Sequence, residues 1–576
     1  MARANDEAAA LVQELADLLS ITGGDAFKIR AYEKAARAIA GYPEDISGLG
    51  LAGLKKIPTV GEAIAKKLAD YNTTGTIRQV EELRAQIPAG VRALTAIPTL
   101  GPKKALAVHQ ELGVSSVDEL AAAIREGRLR GLKGFGAKTE DNILRGIELM
   151  EQTGGRVLID VAAGLADEIV AALSPLAERC VHAGSLRRMR ETIGDVDILA
   201  ASREPKPIMA AFTALPLVAE VIGGGDKKTS IRTTGGLQVD LRVVPPEAWG
   251  AALQYFTGSR AHNVRTREIA VRAGLKLSEY GLFTADGDET GEPIVSATEE
   301  EVYDRLGLPW IPPALREDRG EIEAALAGGL PRLVTVDDLR GDLHSHTDLT
   351  DGTASLEEMV RAAAARGLEY YAITDHAPNL FMQRMTDEKM LAQRERVRAL
   401  QREYPGLVLL HGTELNIDPD GGVDWDADFL SGFDICVASV HSHFTQDEAE
   451  MTRRFVRACE NPHVHVIGHP TARQIGRRPE VEADWDEVFT AAARTGTALE
   501  VDSFPDRLDL PADLIRRALR HGVKFTIDTD AHAVGHHRNI RYGVGTAQRG
   551  WLTPDDVINT WPLDRLRAFL RKPAAG

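Results

Sequence analysis

Residues 1–150 repeat apolar positions at helical spacing, broken by Gly and Pro, and predict a string of short helices. Three segments share one pattern: LKKIPTVGEAIAKKL (54–68), LTAIPTLGPKKALAVHQEL (94–112) and LRGLKGFGAKTEDNIL (129–144). In each, an apolar helix end runs through a tight turn to Gly61, Gly101 or Gly136 and into a helix that opens near a lysine. Further on, an apolar strand ends at Gly184-Ser185, a second holds Asp195-Val196-Asp197, and LQVDLRVVP (237–245) predicts a third. Residues 318–340 mix charges with a Gly-Gly-Leu-Pro break and predict an interdomain linker. From residue 341 onward, short β-branched runs (YYAITDHA, LVLLHGTEL, DICVASVHS, HVHVIGHP, TALEVDS, KFTIDTDAH) alternate with amphipathic Ala/Arg-rich helices. That rhythm predicts a parallel α/β barrel.

Composition narrows the class. A chain of 576 residues is too long for one core. No apolar run reaches the ~18 residues of a membrane span, and the acidic start MARANDEAAALVQEL lacks the basic and apolar regions of a signal peptide. Cys180, Cys436 and Cys459 are far apart and form no CxxC pair, which points to a reducing cytoplasm. The net charge of −17 is unevenly spread: 20 Lys+Arg face 19 Asp+Glu in 1–150, 21 face 29 in 151–340, and 27 face 37 in 341–576. Any nucleic-acid contact must therefore come from local patches. Thirteen of 16 histidines follow residue 340, which marks that region for metal binding.

The chemistry follows from these placements. A glycine turn before a helix aims bare backbone N–H groups outward, and three copies predict phosphate binding that reads no base, with Lys103 and Lys104 beside the second turn. On a strand, Asp195 and Asp197 point to one face roughly 7 Å apart. Carboxylates so placed bridge two Mg²⁺ ions about 4 Å apart, and Asp240 on the third strand fits as a third ligand. After residue 341 a candidate ligand ends most strands: His344, His346 and Asp351 in DLHSHTDLTDG, then His376, Glu414, His441, His469, and Asp530 with His532. His411, His443, His463 and His465 fall outside this pattern and are expected to be structural or supporting. Glu500 and Asp502 have no assigned role.

These motifs resemble known families. The glycine turns resemble helix-hairpin-helix motifs, with Thr59 and Thr99 where the first glycine usually stands. DAFKIRAYEKAARAIAGYPEDI (25–46) resembles the lyase domain of DNA polymerase beta, which implies that Lys28 holds a 5′-phosphate and Lys67 forms a Schiff base with an abasic sugar. Such an amine must be partly deprotonated, with Lys66 as a neighbouring cation. Residues up to LGLPWIPPALRE (306–317) resemble family X DNA polymerases. That resemblance implies that Gly184, Ser185 and Arg188 grip a triphosphate. It also implies that Tyr255, Phe256, Gly258 and Asn263 of QYFTGSRAHNV line the sugar and base, with Arg260 replacing an acidic residue. The C-terminal pattern resembles the polymerase-and-histidinol-phosphatase (PHP) family, a distorted (β/α)7 barrel holding up to three divalent ions. Family analogy groups His344, His346, Glu414 and Asp530 on one ion, Glu414, His441 and His469 on a second, and Asp351, His376 and His532 on a third. Mixed N/O ligation suits Mn²⁺ or Zn²⁺.

The expected organisation is a lyase-like helical domain (1–83), a helix-hairpin-helix domain (84–150), an α+β nucleotidyltransferase palm (151–249), a nucleotide-binding domain (250–317), a linker (318–340) and a PHP barrel (341–576). Together they imply a bacterial, nucleoid-associated, monomeric repair polymerase. It uses Mg²⁺ or Mn²⁺ at the palm, gapped or nicked duplex DNA and deoxynucleoside triphosphates, and its PHP domain processes DNA ends as a 3′-5′ exonuclease, an abasic-site endonuclease or a 3′-phosphatase. Two alternatives stand beside it: a polymerase whose PHP domain is a pyrophosphatase or purely structural, and a non-enzymatic module that holds DNA ends.

Overall fold

A computed structural model of the chain describes residues 2–572 except 43, 96, 98–99, 133, 286–291 and 381–382; at 2–4, 6, 89, 93, 138 and 148–153 the backbone alone is described. Thr99 therefore lies outside the described residues. The chain divides into two compact units, one of Met1–Thr153, Val336–Gly543 and Asp555–Gly576, the other of Gly154–Thr335 and Val544–Pro554.

In the first unit, residues 2–153 are helical, and Leu15, Ile39, Leu68, Val91, Leu120 and Ile143 belong to one continuous apolar core. In the first hairpin Leu54 and Ile57 are buried, the chain turns, and helix Glu62–Thr74 starts from Gly61. Thr59 takes the left-handed conformation (φ 63°) that Gly134 takes in the third hairpin (φ 89°). A residue with a Cβ is disfavoured there by roughly 1–2 kcal/mol.

The C-terminal part of this unit is a seven-stranded parallel sheet. Its strands are β6 (Gly341–Asp342), β7 (Tyr370–Ile373), β8 (Val408–Asn416), β9 (Ile435–Ser439), β10 (Val466–Ile467), β11 (Ala498–Asp502) and β12 (Phe525–Asp528). Neighbours in the sheet follow chain order. A parallel bridge from Ser345 to Ala531, with His346 N donating to Ala531 O at 2.8 Å, brings the two ends together, so the barrel is nearly closed. Strands buried on both faces explain the continuous apolar runs in the sequence. Most of the polar candidates cluster at or just beyond strand C-terminal ends.

The second unit holds a five-stranded sheet: β1 (Arg179–His182), β2 (Asp195–Ala201), β3 (Val218–Gly224), β4 (Lys228–Thr233) and β5 (Gln238–Val244), in the order β1-β2-β5-β4-β3. Strand β5 alternates cleanly. Val239, Leu241 and Val243 are buried, while Gln238, Asp240 and Arg242 point the other way. Helices Trp249–Thr257, Arg260–Arg272 and Glu299–Arg305 follow, the last opened by a Thr298/Glu301 capping box. Residues 318–335, expected as a linker, are folded here: helix Glu321–Leu326 buries Ile322 and Ala325, and Glu321 accepts a 2.8 Å bond from buried His262. No described helix is long and apolar enough to cross a membrane.

Candidate metal centres

Strands β2 and β5 run parallel with Asp197 opposite Asp240, and Asp195 lies two residues earlier on the same face as Asp197. Burial and the neighbouring Asp195 and Asp240 carboxylates push the Asp197 carboxyl up to about 7. Such a cluster is electrostatically unfavourable on its own and suits divalent cations. Asp240 is fixed from both sides, by Gln238 Nε2 at 2.9 Å and Lys228 Nζ at 3.4 Å. Gly184 closes the site from the other side: its φ is 59°, and a Cβ there would lie 2.0 Å from Asp197 Oδ2.

Gly184 opens a one-turn helix, Gly184–Arg187, that carries Ser185 and leads to Arg188. Arg187 makes paired bonds of 2.9 and 2.8 Å to Glu299, which also binds Arg316 at 2.6 Å. Burial opposes ionisation of Glu299, but the two arginines outweigh it and hold its pKa down at about 2. Arg188 reaches the carbonyl of Thr257 and the carboxylate of Glu317. Gly258 (φ 67°) lets Arg188 approach, since a Cβ would sit 3.2 Å from its Nη1. Tyr255 and Phe256 pack edge to face at 5.1 Å, with the Arg242 guanidinium 4.5 Å above Phe256. Asn263 is turned inward, accepting from Gln254 at 3.0 Å and donating to the Tyr255 carbonyl at 2.7 Å. Arg260 is exposed.

The barrel cluster is denser. His344 Nε2 lies 3.2 Å from His346 Nε2, and Asp530 Oδ1 is 3.5 and 3.1 Å from them. Glu414 Oε2 is 3.6 and 3.5 Å from the same two nitrogens. Ligands about 2.0–2.1 Å from a tetrahedral ion stand about 3.3 Å apart, so the His344, His346 and Asp530 atoms match three corners of a coordination shell, while Glu414 groups with His376 and His441. Glu414 Oε1 faces His441 Nε2 and His469 Nε2, each at 3.0 Å. Asp351 faces His376 at 3.3 Å and His532 at 3.4 Å. His376 Nδ1 also comes within 2.8 Å of Glu414, so that ring stands between two groups. Asp530 Oδ1, Asp351 Oδ1 and His346 Nδ1 are buried and make no well-formed hydrogen bond, although opposite-type groups stand 3.1, 3.4 and 3.9 Å from them. Orphaned donors of both types fit divalent metal ions. Burial disfavours the charged forms of Glu414 and His344 alike. Even so, facing histidines hold Glu414 well below the carboxylate range, and Glu500, Asp530 and Glu414 hold His344 well above the imidazole range.

Three groups support these donors: Glu500, which the sequence left without a role, and Asn416 and Asp375, which it did not single out. Glu500 Oε1 meets His344 Nδ1 at 2.7 Å and its other oxygen accepts from the His469 amide at 2.6 Å, which orients one ligand and seats another. Asn416, two residues beyond Glu414 on β8, meets His441 Nδ1 at 2.8 Å. Asp375 holds the loop after His346 through the Thr347 amide (2.9 Å) and hydroxyl (2.6 Å). For Asn416 the available signal was a polar residue two positions beyond the ligand Glu414 on a strand end, and for Asp375 a carboxylate next to His376. His411 instead stacks on Phe433 at 5.1 Å, and His465 accepts from the Cys436 amide.

In the helical region a Cβ at Gly61, Gly101 or Gly136 would meet no described atom within 4 Å, so the backbone is open to approach at these three glycines. Lys28 and Lys103 are exposed and Lys67 is half-buried. Lys104 lies 5.8 Å from the Phe135 ring of the third hairpin, and Lys66 pairs with Glu62 at 2.9 Å.

Known families match along the chain: a helix-hairpin-helix domain over 3–77, a SAM-like helix-hairpin-helix tandem over 91–148, the DNA polymerase beta thumb over 252–317 and the PHP domain over 342–503. A Bacillus subtilis protein named DNA polymerase/3′-5′ exonuclease PolX is 35% identical over 98% of both chains. The chain belongs to the bacterial family X DNA polymerases with a C-terminal PHP domain. Rat DNA polymerase lambda is 27% identical over 51% of this chain and 53% of its own. A probable phosphatase of Syntrophotalea carbinolica is 29% identical over 38% of this chain and 90% of its own. The palm carboxylates and the barrel donor cluster belong to different compact units.

Proposed function

We propose that the chain fills short gaps in duplex DNA during repair and trims DNA ends as a 3′-5′ exonuclease. The observation that carries this reading is the pairing of two metal-suited donor sets in a chain similar throughout to a protein named for both activities. Divalent ions, Mg²⁺ or Mn²⁺ at the palm and up to three Mn²⁺ or Zn²⁺ in the barrel, supply charge neutralisation and an acidified water. Asp195, Asp197 and Asp240 hold the palm ions. Asp240 also receives the proton of the primer 3′-hydroxyl, whose oxygen attacks the α-phosphorus while pyrophosphate departs. Ser185 and Arg188 grip the triphosphate, Gly184 allows its close approach, and Tyr255, Phe256, Gly258 and Asn263 line the sugar and base. Gly61, Gly101 and Gly136 present backbone amides to phosphates, helped by Lys28, Lys103 and Lys104. In the barrel, Glu414 bridges two groups of donors, and Glu500 keeps His344 turned toward them.

The phosphatase names among the relatives favour a second reading of the barrel, removal of 3′-phosphates from DNA ends. A lyase step, where present, falls to Lys67, and borohydride trapping on an abasic 5′ end tests it. The polymerase reading is tested on one-nucleotide gaps and 3′-tailed duplexes, with 3′-phosphorylated ends for the second reading. Asp195→Ala with Asp197→Ala should abolish nucleotide addition and leave end removal intact. Equal loss of both activities in a folded double variant refutes separate centres.

A further inference from the structure

Arg549 lies outside every span matched by the families above, yet its segment, Val544–Pro554, belongs to the polymerase unit. Its side chain is only 6% exposed. Nη1 donates to the Arg188 carbonyl at 3.0 Å and to Glu317 Oε1 at 2.9 Å. The same Glu317 oxygen accepts from Arg188 Nε at 3.0 Å, and Arg188 Nη1 donates to the Thr257 carbonyl at 2.5 Å. Two guanidinium groups thus share one carboxylate, and the Arg188 and Glu317 side chains are only 13% and 14% exposed. The segment approaches the Arg188 turn closely: a Cβ at Gly545 would lie 2.4 Å from Met189 Cε.

The sharing has a consequence for ligand entry. Were Arg188 the only partner of Glu317, its departure would leave a buried carboxylate without a counter-ion, beside an arriving polyanion. With Arg549 in place, the carboxylate stays neutralised when Arg188 turns away, and the Arg188 backbone stays anchored. We propose that Arg549 is a positioning residue for nucleotide addition, which holds Glu317 and the Arg188 turn so that the Arg188 side chain is free to bind the incoming triphosphate. The proposal rests on the assignment of Arg188 to the triphosphate. Burial favours the neutral form of Glu317, but Arg188 and Arg549 outweigh it, so the carboxylate is ionised and in need of a partner.

The test uses the full-length chain in single-turnover insertion into a one-nucleotide gap, with the dNTP Kd and the maximal rate measured separately. Arg549→Ala should weaken dNTP binding about tenfold, as expected for a charge pair broken on one side, and change the maximal rate less than about twofold. Arg549→Lys keeps the charge and should lose less. Glu317→Gln combined with Arg549→Ala removes the carboxylate that needs a partner and should return Kd to within about threefold of wild type. That rescue separates a charge role from a merely structural one, and it does not depend on how well the single alanine variant folds. An Arg549→Ala variant with unchanged Kd, alongside an Arg188→Ala variant with raised Kd, overturns the proposal alone. A double variant no better than Arg549→Ala also overturns it. An Arg188→Ala variant with unchanged Kd overturns the triphosphate assignment, and this proposal with it.

Discussion

Replacing Gly184 by alanine disturbs the palm centre by the smallest possible addition of atoms. The new Cβ would stand 2.0 Å from Asp197 Oδ2 and 3.0 Å from its Cγ. Carbon and oxygen atoms in close contact settle near about 3.3 Å, so the carboxylate must move by more than about 1 Å. A displacement of about 1 Å at a reacting centre is worth on the order of 10²-fold in rate. The backbone adds its own cost, because φ is 59° at this position and alanine there is disfavoured by roughly 1–2 kcal/mol. For a unit of this size that corresponds to a fall of about 2–8 °C in Tm. The assay is nucleotide insertion into a gapped duplex at saturating dNTP, with end removal measured on the same preparation. Gly223→Ala serves as control, since a Cβ there meets nothing within 4 Å. The expected result is an insertion rate lowered about 10²-fold with end removal unchanged. An insertion rate for Gly184→Ala within about threefold of the control would refute the claim that Gly184 and Asp197 are sterically coupled.

In the barrel, His344→Ala with His346→Ala should lower bound divalent metal by at least one ion per chain and abolish end removal; unchanged metal content refutes the grouping. Glu500→Gln, which keeps a side chain beside His344 Nδ1, should weaken metal binding by about 10–100-fold, read by competition with a chelating dye. In metal-free protein the Asp197 carboxyl, raised from its ordinary 3.8 to about 7, holds a proton that the unfolded chain has already lost. Stability should therefore fall as pH rises from about 4 to 7 and recover when metal is added, and Asp197→Asn should flatten that trend in thermal melts. Binding to gapped duplex should show a shallow salt dependence, with a log–log slope on the order of 3–5, because amides carry most phosphate contacts. Lys103→Ala with Lys104→Ala should cut that slope by at most about 2, and a wild-type slope near 10 would reveal a large basic surface.

What the sequence makes legible, and what it hides, follows from the range over which each signal acts. The Asp195/Asp197 pair announces itself because a strand repeats every two residues, and Asp240 because it sits mid-strand between Val239 and Leu241. The barrel ligands stand out because parallel strands end at one rim and nine imidazoles and carboxylates recur there in step. Glu500 was visible as a polar residue on a strand but had no readable purpose, since its partner His344 lies just past a strand end 156 positions earlier. Segment 318–340 reads as a linker because Gly-Gly-Leu-Pro outweighs a six-residue helix, and burial of Ile322 and Ala325 with the Glu321–His262 bond, 59 residues apart, shows why 318–335 is folded. Asn263 matches a nucleotide-site pattern, yet its amide is taken up by Gln254 and the Tyr255 carbonyl, a choice made by packing and not by spacing. The Arg188–Glu317–Arg549 arrangement is the extreme case, joining residues up to 361 positions apart. A charge shared between two guanidinium groups leaves no periodic trace in the sequence. Local period reports which face a side chain occupies, whereas pairing across the fold reports what the side chain is held by. The second kind of information governs how the site releases one partner for another.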